Sequence, residues 1–163
     1  MTNTKSLTAA ICTAGLICLG ATAGAQAKGV CPQRRETVAL KAAEVQQALM
    51  VAALSCRQTH AYNRFVLAYR AELQHSDAVL RRYFEHRYGH RGMRAYHAYK
   101  TKLANAASLR SLRDIRHYCA EARRTFRDAL DDDHLTLAGL AVRYARGHWA
   151  ACSRRERMAE SRR

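Results

Sequence analysis

Proline is almost missing from this chain, with Pro32 alone among 163 residues, and glycine is sparse at 8. Both residues punctuate loops and break helices, so long helices can run without interruption and no flexible linker divides the sequence. Period-two strand patterns bounded by turn residues are nearly absent as well, which argues against a β-sandwich or an α/β sheet. Chemical signatures are equally scarce. No Cys-x-x-Cys occurs, which removes support for a thioredoxin-type redox site, and the absence of Cys-x-x-Cys-His argues against covalent c-type haem. The chain has no His-Glu-x-x-His, no Gly-x-Ser-x-Gly, no phosphate-binding glycine loop and no dinucleotide fingerprint. Asp131, Asp132 and Asp133 lack the glycine and terminal glutamate of an EF-hand loop. No motif points to an enzyme, and no cofactor is expected.

One long apolar run is present, at residues 7–19. It follows Lys5 and leads to small residues ending Ala25, Gln26, Ala27. This reads as a secretory signal over residues 1–27, too short for a membrane span of roughly 20 apolar residues. Cys12 and Cys18 each follow an isoleucine rather than the small residue a lipoprotein signal needs, so no lipid anchor is expected. No later stretch reads as uncharged enough to cross a bilayer. The expected location is periplasmic or secreted.

Acidic residues are in deficit, 13 against 28 lysines and arginines. Cleavage after Ala27 removes Lys5 and no acid, leaving a formal +14 on 136 residues. Such an excess favours anionic lipid, envelope polysaccharide and, less strongly, nucleic acid as partners, with salt-sensitive binding. Arginine supplies 23 of the 28 basic residues, and a GC-rich genome raises arginine and alanine together, so composition alone also accounts for part of the charge.

The pattern predicts an all-α fold: a single bundle of about five helices over residues 28–152, stapled by disulfides, with a charged, fraying tail at 153–163. Val38, Ala42, Val45, Leu49, Ala52 and Cys56 recur at four- and three-residue spacing in the first helix. A second covers residues 61–88 through Tyr62, Phe65, Tyr69, Leu73, Leu80, Tyr83 and Phe84, with an interruption near His75, Ser76 and Asp77. Gly89 and Gly92 end it. A third follows at 93–107 through Met93, Tyr96, Tyr99, Leu103 and Ala106. Ser108 or Ser111 then caps a fourth, with Leu112, Ile115, Cys119, Ala122, Phe126 and Leu130 inward. After the aspartates, one of which is a natural cap, a fifth carries Leu137, Ala141, Tyr144 and Cys152 on one side and Trp149 near its end. Asn63 and Asn105 stand beside apolar stripes, where buried polar contacts are expected.

Four cysteines remain after cleavage. A continuous helix from Pro32 would separate Cys31 and Cys56 by roughly 35 Å, beyond the reach of a disulfide. Cys56–Cys119 with Cys31–Cys152, or the crossed arrangement, are left. The first is preferred because Cys56 and Cys119 each continue an apolar stripe and would meet at a helical seam.

Residues 81–94 hold the densest mixture of arginine, histidine and aromatics. Arg81, Arg82, Arg87, Arg91 and Arg94 are the candidate polyanion contacts, since guanidinium forks pair with phosphates and neighbouring rings stack on bases or sugars. The plainer reading has the aromatics inward and the arginines solvated. His86, His90 and His97 are spaced by four and seven residues and are candidate zinc or copper ligands if the glycines leave them on one face. Further along, Arg113, Arg116, Arg123, Arg124 and Arg127 share one side of the fourth helix, but Asp114, Glu121 and Asp128 interleave with them, which reads as a solvated face.

The sequence LMVAALSC at 49–56, YNRFV at 62–66, YF at 83–84, LAN at 103–105 and YC at 118–119 resembles an uncharacterised family of small exported helical proteins of alphaproteobacteria. The resemblance implies that Cys56 and Cys119 belong to a shared core, and it carries over no active site. It does not extend to residues 131–163. The expected function is that of an exported, non-enzymatic helical protein binding anionic envelope components or polyanions. The alternative is a periplasmic metal-responsive or chaperone-like protein.

Overall fold

The computed structural model describes residues 32–147, and these form an all-α bundle. Its helices are α1 (Arg34–Ser55), α2 (Thr59–Ala68), α3 (Arg70–Tyr88), α4 (Gly92–Arg113), α5 (Ile115–Asp131) and α6 (Leu137–Tyr144), with a 3₁₀ turn at Gly89–Arg91. Since α2 and α3 are one helical run bent at a single residue, the expected count of about five is met.

Helix α1 is the axle of the bundle and packs against each of the other five helices. Its alanines and β-branched residues let neighbours approach on several sides. Ala42, Val45, Leu49 and Ala52 enter one apolar cluster with Phe65, Phe126 and Leu140, while Ala39, Leu40 and Ala43 enter another with Leu80, Phe84 and Tyr96. The first joins α1 to α2, α5 and α6; the second joins it to α3 and α4. This centrality also explains why α1 is long and apolar enough to cross a membrane by length and composition, contrary to the expectation that no stretch after the leader would be. Within its most apolar window, 61% is buried inside the fold.

The ends of α1 follow local chemistry. Glu36 accepts the Gln33 N–H at 2.6 Å, half of a capping box. At the other end Gln58 N–H reaches the Ala53 carbonyl at 3.0 Å and Arg57 takes φ 55°. That is a Schellman stop with arginine where glycine usually stands. Cys56 lies next to it, and its disulfide to Cys119 brings the two Cα atoms to 5.5 Å. The expected Cys31–Cys152 bond lies outside the described residues, as do Trp149, the expected leader at 1–27 and the expected tail at 153–163.

Several boundaries differ from expectation. The break in the second helix falls at Tyr69, not near His75, Ser76 and Asp77. The Tyr69 hydroxyl reaches the carbonyls of Ala129 at 3.0 Å and Leu135 at 2.7 Å, a tertiary anchor that sets the bend. Neither Ser108 nor Ser111 starts a helix, because the Ser111 hydroxyl donates to the Ser108 carbonyl at 2.8 Å inside α4. Asp114 caps α5 instead, accepting the His117 N–H at 2.9 Å. Thr136, rather than an aspartate, caps α6 by accepting from Gly139, and Glu72 of α3 accepts the Leu137 N–H at 2.8 Å. Helix α6 ends at Tyr144, short of Cys152. With α4 carried on to Arg113, Leu112 faces solvent rather than the core, and Ala107 replaces Ala106 inside. Asn63 and Asn105 are exposed, so they hold no buried contact.

Gly89 and Gly92 act as expected at the end of α3, by different means. Gly89 adopts φ 55°. Gly92 opens α4 so close to α3 that a Cβ there would stand 2.5 Å from the Glu85 Cα.

Candidate functional site

The residues singled out around positions 81–97 do not assemble into one site. Arg81 pairs with Asp77 at 3.5 Å, and Arg87 donates to the Tyr88 hydroxyl at 3.2 Å with its guanidinium 5.5 Å from that ring. Arg82, Arg91 and Arg94 are exposed on α3, the 3₁₀ turn and α4 respectively. At 100° per residue Arg81, Arg82 and Arg87 diverge around α3, so the arginines spread over the surface. His86, His90 and His97 are exposed on three successive elements. Among the described residues no three His, Cys, Asp or Glu side chains gather into a group that would hold a metal ion. Where α3 packs along α4 there is instead a part-buried polar knot, in which the Tyr96 hydroxyl donates to Asp77 at 2.5 Å and Lys100 pairs with the same oxygen at 3.1 Å.

A more concave, charged arrangement lies elsewhere. Helices α1, α5 and α6 and the last turn of α4 enclose a cleft of about 260 Å³ with Ala48, Leu49 and Ala122 at its apolar base. Arg110, Arg124, Arg143 and Arg146 line it. Two of them are engaged: Arg143 with Asp128 at 3.1 Å, and Arg146 with Glu121. Arg110 and Arg124 have no acidic partner among the described residues.

The acids of the cleft are occupied as well. Glu44 is only 7% exposed, and its carboxylate accepts the backbone N–H groups of Arg146 and Gly147 at 2.9–3.0 Å. Glu121 also meets His117 at 3.1 Å. Burial pushes the Tyr118 hydroxyl up, and the nearby Arg110 charge partly offsets that shift. Tyr118 donates to the Ala48 carbonyl at 2.7 Å, which fixes the cleft wall against α1. At the rim, the hydrogen bond from Tyr144 and the Arg143 pair hold the Asp128 carboxyl below its ordinary value.

Sequence reasoning missed this site because its arginines come from three helices and the segment after α6. Arg124 falls on what the spacing reads as a solvated face, and nothing in that spacing links it to Arg110. Two guanidinium groups that make no ion pair among the described residues, in a concavity whose own carboxylates are satisfied, offer hydrogen-bond donors suited to an anion. Comparison with protein-family models, with curated proteins and with solved structures finds no match for this chain.

Proposed function

We propose that this chain is an exported, non-enzymatic helical protein that binds a compact anionic group, a phosphate or carboxylate carried by an envelope component, in the cleft between α1, α5 and α6. The observation that carries this reading is the pairing of Arg110 and Arg124 on one cleft with no acidic partner among the described residues. A guanidinium presents a rigid fork of donors suited to carboxylate and phosphate oxygens. A partly enclosed, low-dielectric wall strengthens such contacts relative to an open surface. The Cys56–Cys119 bond is compatible with an oxidising compartment, which fits export.

Ligand linkage supplies the test, since a ligand that binds only the folded form raises the melting temperature as its concentration rises. Inorganic phosphate and chloride are compared at matched ionic strength. The expected result is a phosphate-dependent rise for the native chain that is absent in the Arg110→Gln/Arg124→Gln double variant. Equal rises in both proteins would mean general screening and would remove the cleft from the account.

A further inference from the structure

We infer that the bundle end formed by the last turns of α1 and α4 and the first turn of α5 docks onto an anionic lipid surface. Four aliphatic side chains there face solvent: Leu54 is 77% exposed, Leu109 58%, Leu112 82% and Ile115 45%. They belong to one end of the molecule. Leu54 precedes Cys56 by two residues and Ile115 precedes Cys119 by four, and the disulfide holds those cysteines 5.5 Å apart. Leu112 lies one helical turn from Leu109, on the side of α4 opposite the buried Ala107 and Ser111, and α4 reaches α5 through Asp114 alone.

The polar residues at this end are mostly of one sign. Arg57, Arg113 and Arg116 are exposed around the aliphatic group, and the acid among them, Asp114, is occupied in capping α5. Exposed aliphatic residues framed by arginines suit the headgroup boundary of a bilayer, where apolar side chains enter and cations meet anionic lipid. A second copy fits poorly, because a two-fold contact would set these arginines against their own counterparts. Four side chains also fall short of the roughly 800 Å² that each partner gives to a stable interface. The residues at 153–163 carry five arginines against two glutamates, again the wrong sign to cover the patch. Lipid is thus the occupant that charge complementarity selects, and Arg124 lies two turns further along α5 than Ile115, outside this surface.

The test is co-sedimentation of the oxidised mature chain with vesicles of phosphatidylcholine and with vesicles of equal parts phosphatidylcholine and phosphatidylglycerol. Binding is expected to the second kind and not the first, weakening as salt rises. Leu112→Ser/Ile115→Ser should lower affinity about tenfold with an unchanged melting temperature, since both side chains are exposed. Arg113→Glu/Arg116→Glu should lower it by about fivefold per site or more. Arg82→Gln, exposed on α3 beside the opposite end of α1, should bind vesicles as the native chain does, and the Leu112/Ile115 variant should keep the phosphate-dependent rise in melting temperature, which separates failure of this inference from failure of the cleft reading. Equal binding to both vesicle types, no binding at low salt, or affinity undiminished in the Leu112/Ile115 variant would overturn it. A concentration-dependent dimer lost in that variant would assign the patch to a second copy and overturn it equally.

Discussion

The Glu44 carboxylate at the middle of α1 accepts the backbone N–H of Gly147, 103 residues away, through both of its oxygens, at 3.0 and 2.9 Å. One of these oxygens also takes the Arg146 N–H. A buried charge is tolerated here because backbone donors of the segment leaving α6 surround it. That contact closes one wall of the arginine cleft against the central helix.

Glu44→Ala should therefore cost about 2–3 kcal/mol, since it strips a charged acceptor from part-buried donors. Chemical denaturation gives the value. If Arg146 moves with the freed segment, phosphate binding should weaken too. A change below about 0.5 kcal/mol would show that Glu44 is not what fastens α6.

The disulfide carries a second prediction. The Cys56–Cys119 bond closes a span of 63 residues and constrains the unfolded chain by roughly 2 to 4 kcal/mol. Cys56→Ala/Cys119→Ala should fold less stably by about that amount while keeping its helical circular dichroism, because the clusters on either side of α1 do not depend on the bond. Peptide mapping of the native chain checks the pairing itself.

How much of this was legible in the sequence depends on which force decides each feature. The four- and three-residue spacing from Val38 to Cys56 was sufficient to place α1, and because Cys119 continued a stripe of its own, the pairing of the two cysteines was also within reach. Boundaries were not, where a tertiary hydrogen bond overrides local preference. Nothing near Tyr69 announces a bend, because its cause is carbonyls at Ala129 and Leu135. Ser111 reads as a cap only until its hydroxyl is seen to be satisfied within α4. The cleft was illegible for a related reason: Arg110, Arg124 and Arg146 come to line one concavity only once α4, α5 and the segment after α6 are packed around α1. The dense stretch at residues 81–94 drew attention by composition, and helical geometry disperses it.

The Asp77–Tyr96 contact predicts a pH profile with two limbs. Burial raises the Asp77 carboxyl, but hydrogen bonds from Tyr96 and Lys100 and the charges of Lys100 and Arg81 outweigh it and leave it below its ordinary value. This stabilisation is present above the unfolded pKa of about 4 and is lost as pH falls through the lowered folded value. For Tyr96, burial first and then the hydrogen bond to Asp77 push the phenol up to about 12. That contribution is intact below about pH 10 and is lost as pH rises toward 12. Asp77→Asn should make the acid limb of the denaturation midpoint shallower and bring the Tyr96 titration, followed by tyrosinate absorbance against Tyr96→Phe, closer to 10.

Gly92 sets the approach of α4 to α3. A methyl group would meet the Glu85 backbone at 2.5–2.8 Å and the Phe84 carbonyl at 2.9 Å, and backbone cannot swing aside as a flexible side chain can. Gly92→Ala should cost about 1–3 kcal/mol, the usual scale of overpacking, despite the better helix propensity of alanine. Gly89→Ala meets no neighbour, but φ 55° with ψ −129° lies outside the left-handed helical basin, so it should cost about 1–3 kcal/mol from backbone conformation alone. Melting curves of the two variants, read side by side, separate close packing from backbone conformation.

The central claim is that Arg110 and Arg124 together hold an anion, and a phosphate titration followed by ¹H–¹⁵N spectra of the arginine side chains addresses it most directly. Saturable shifts of the Arg110 and Arg124 Nε–H signals that fit one dissociation constant are expected, with Tyr118 and Ala122 backbone amides following them and Arg82 and Arg94 unmoved. Uniform, unsaturated drift of all exposed arginines, or saturation at residues 81–94 with the cleft silent, would contradict it.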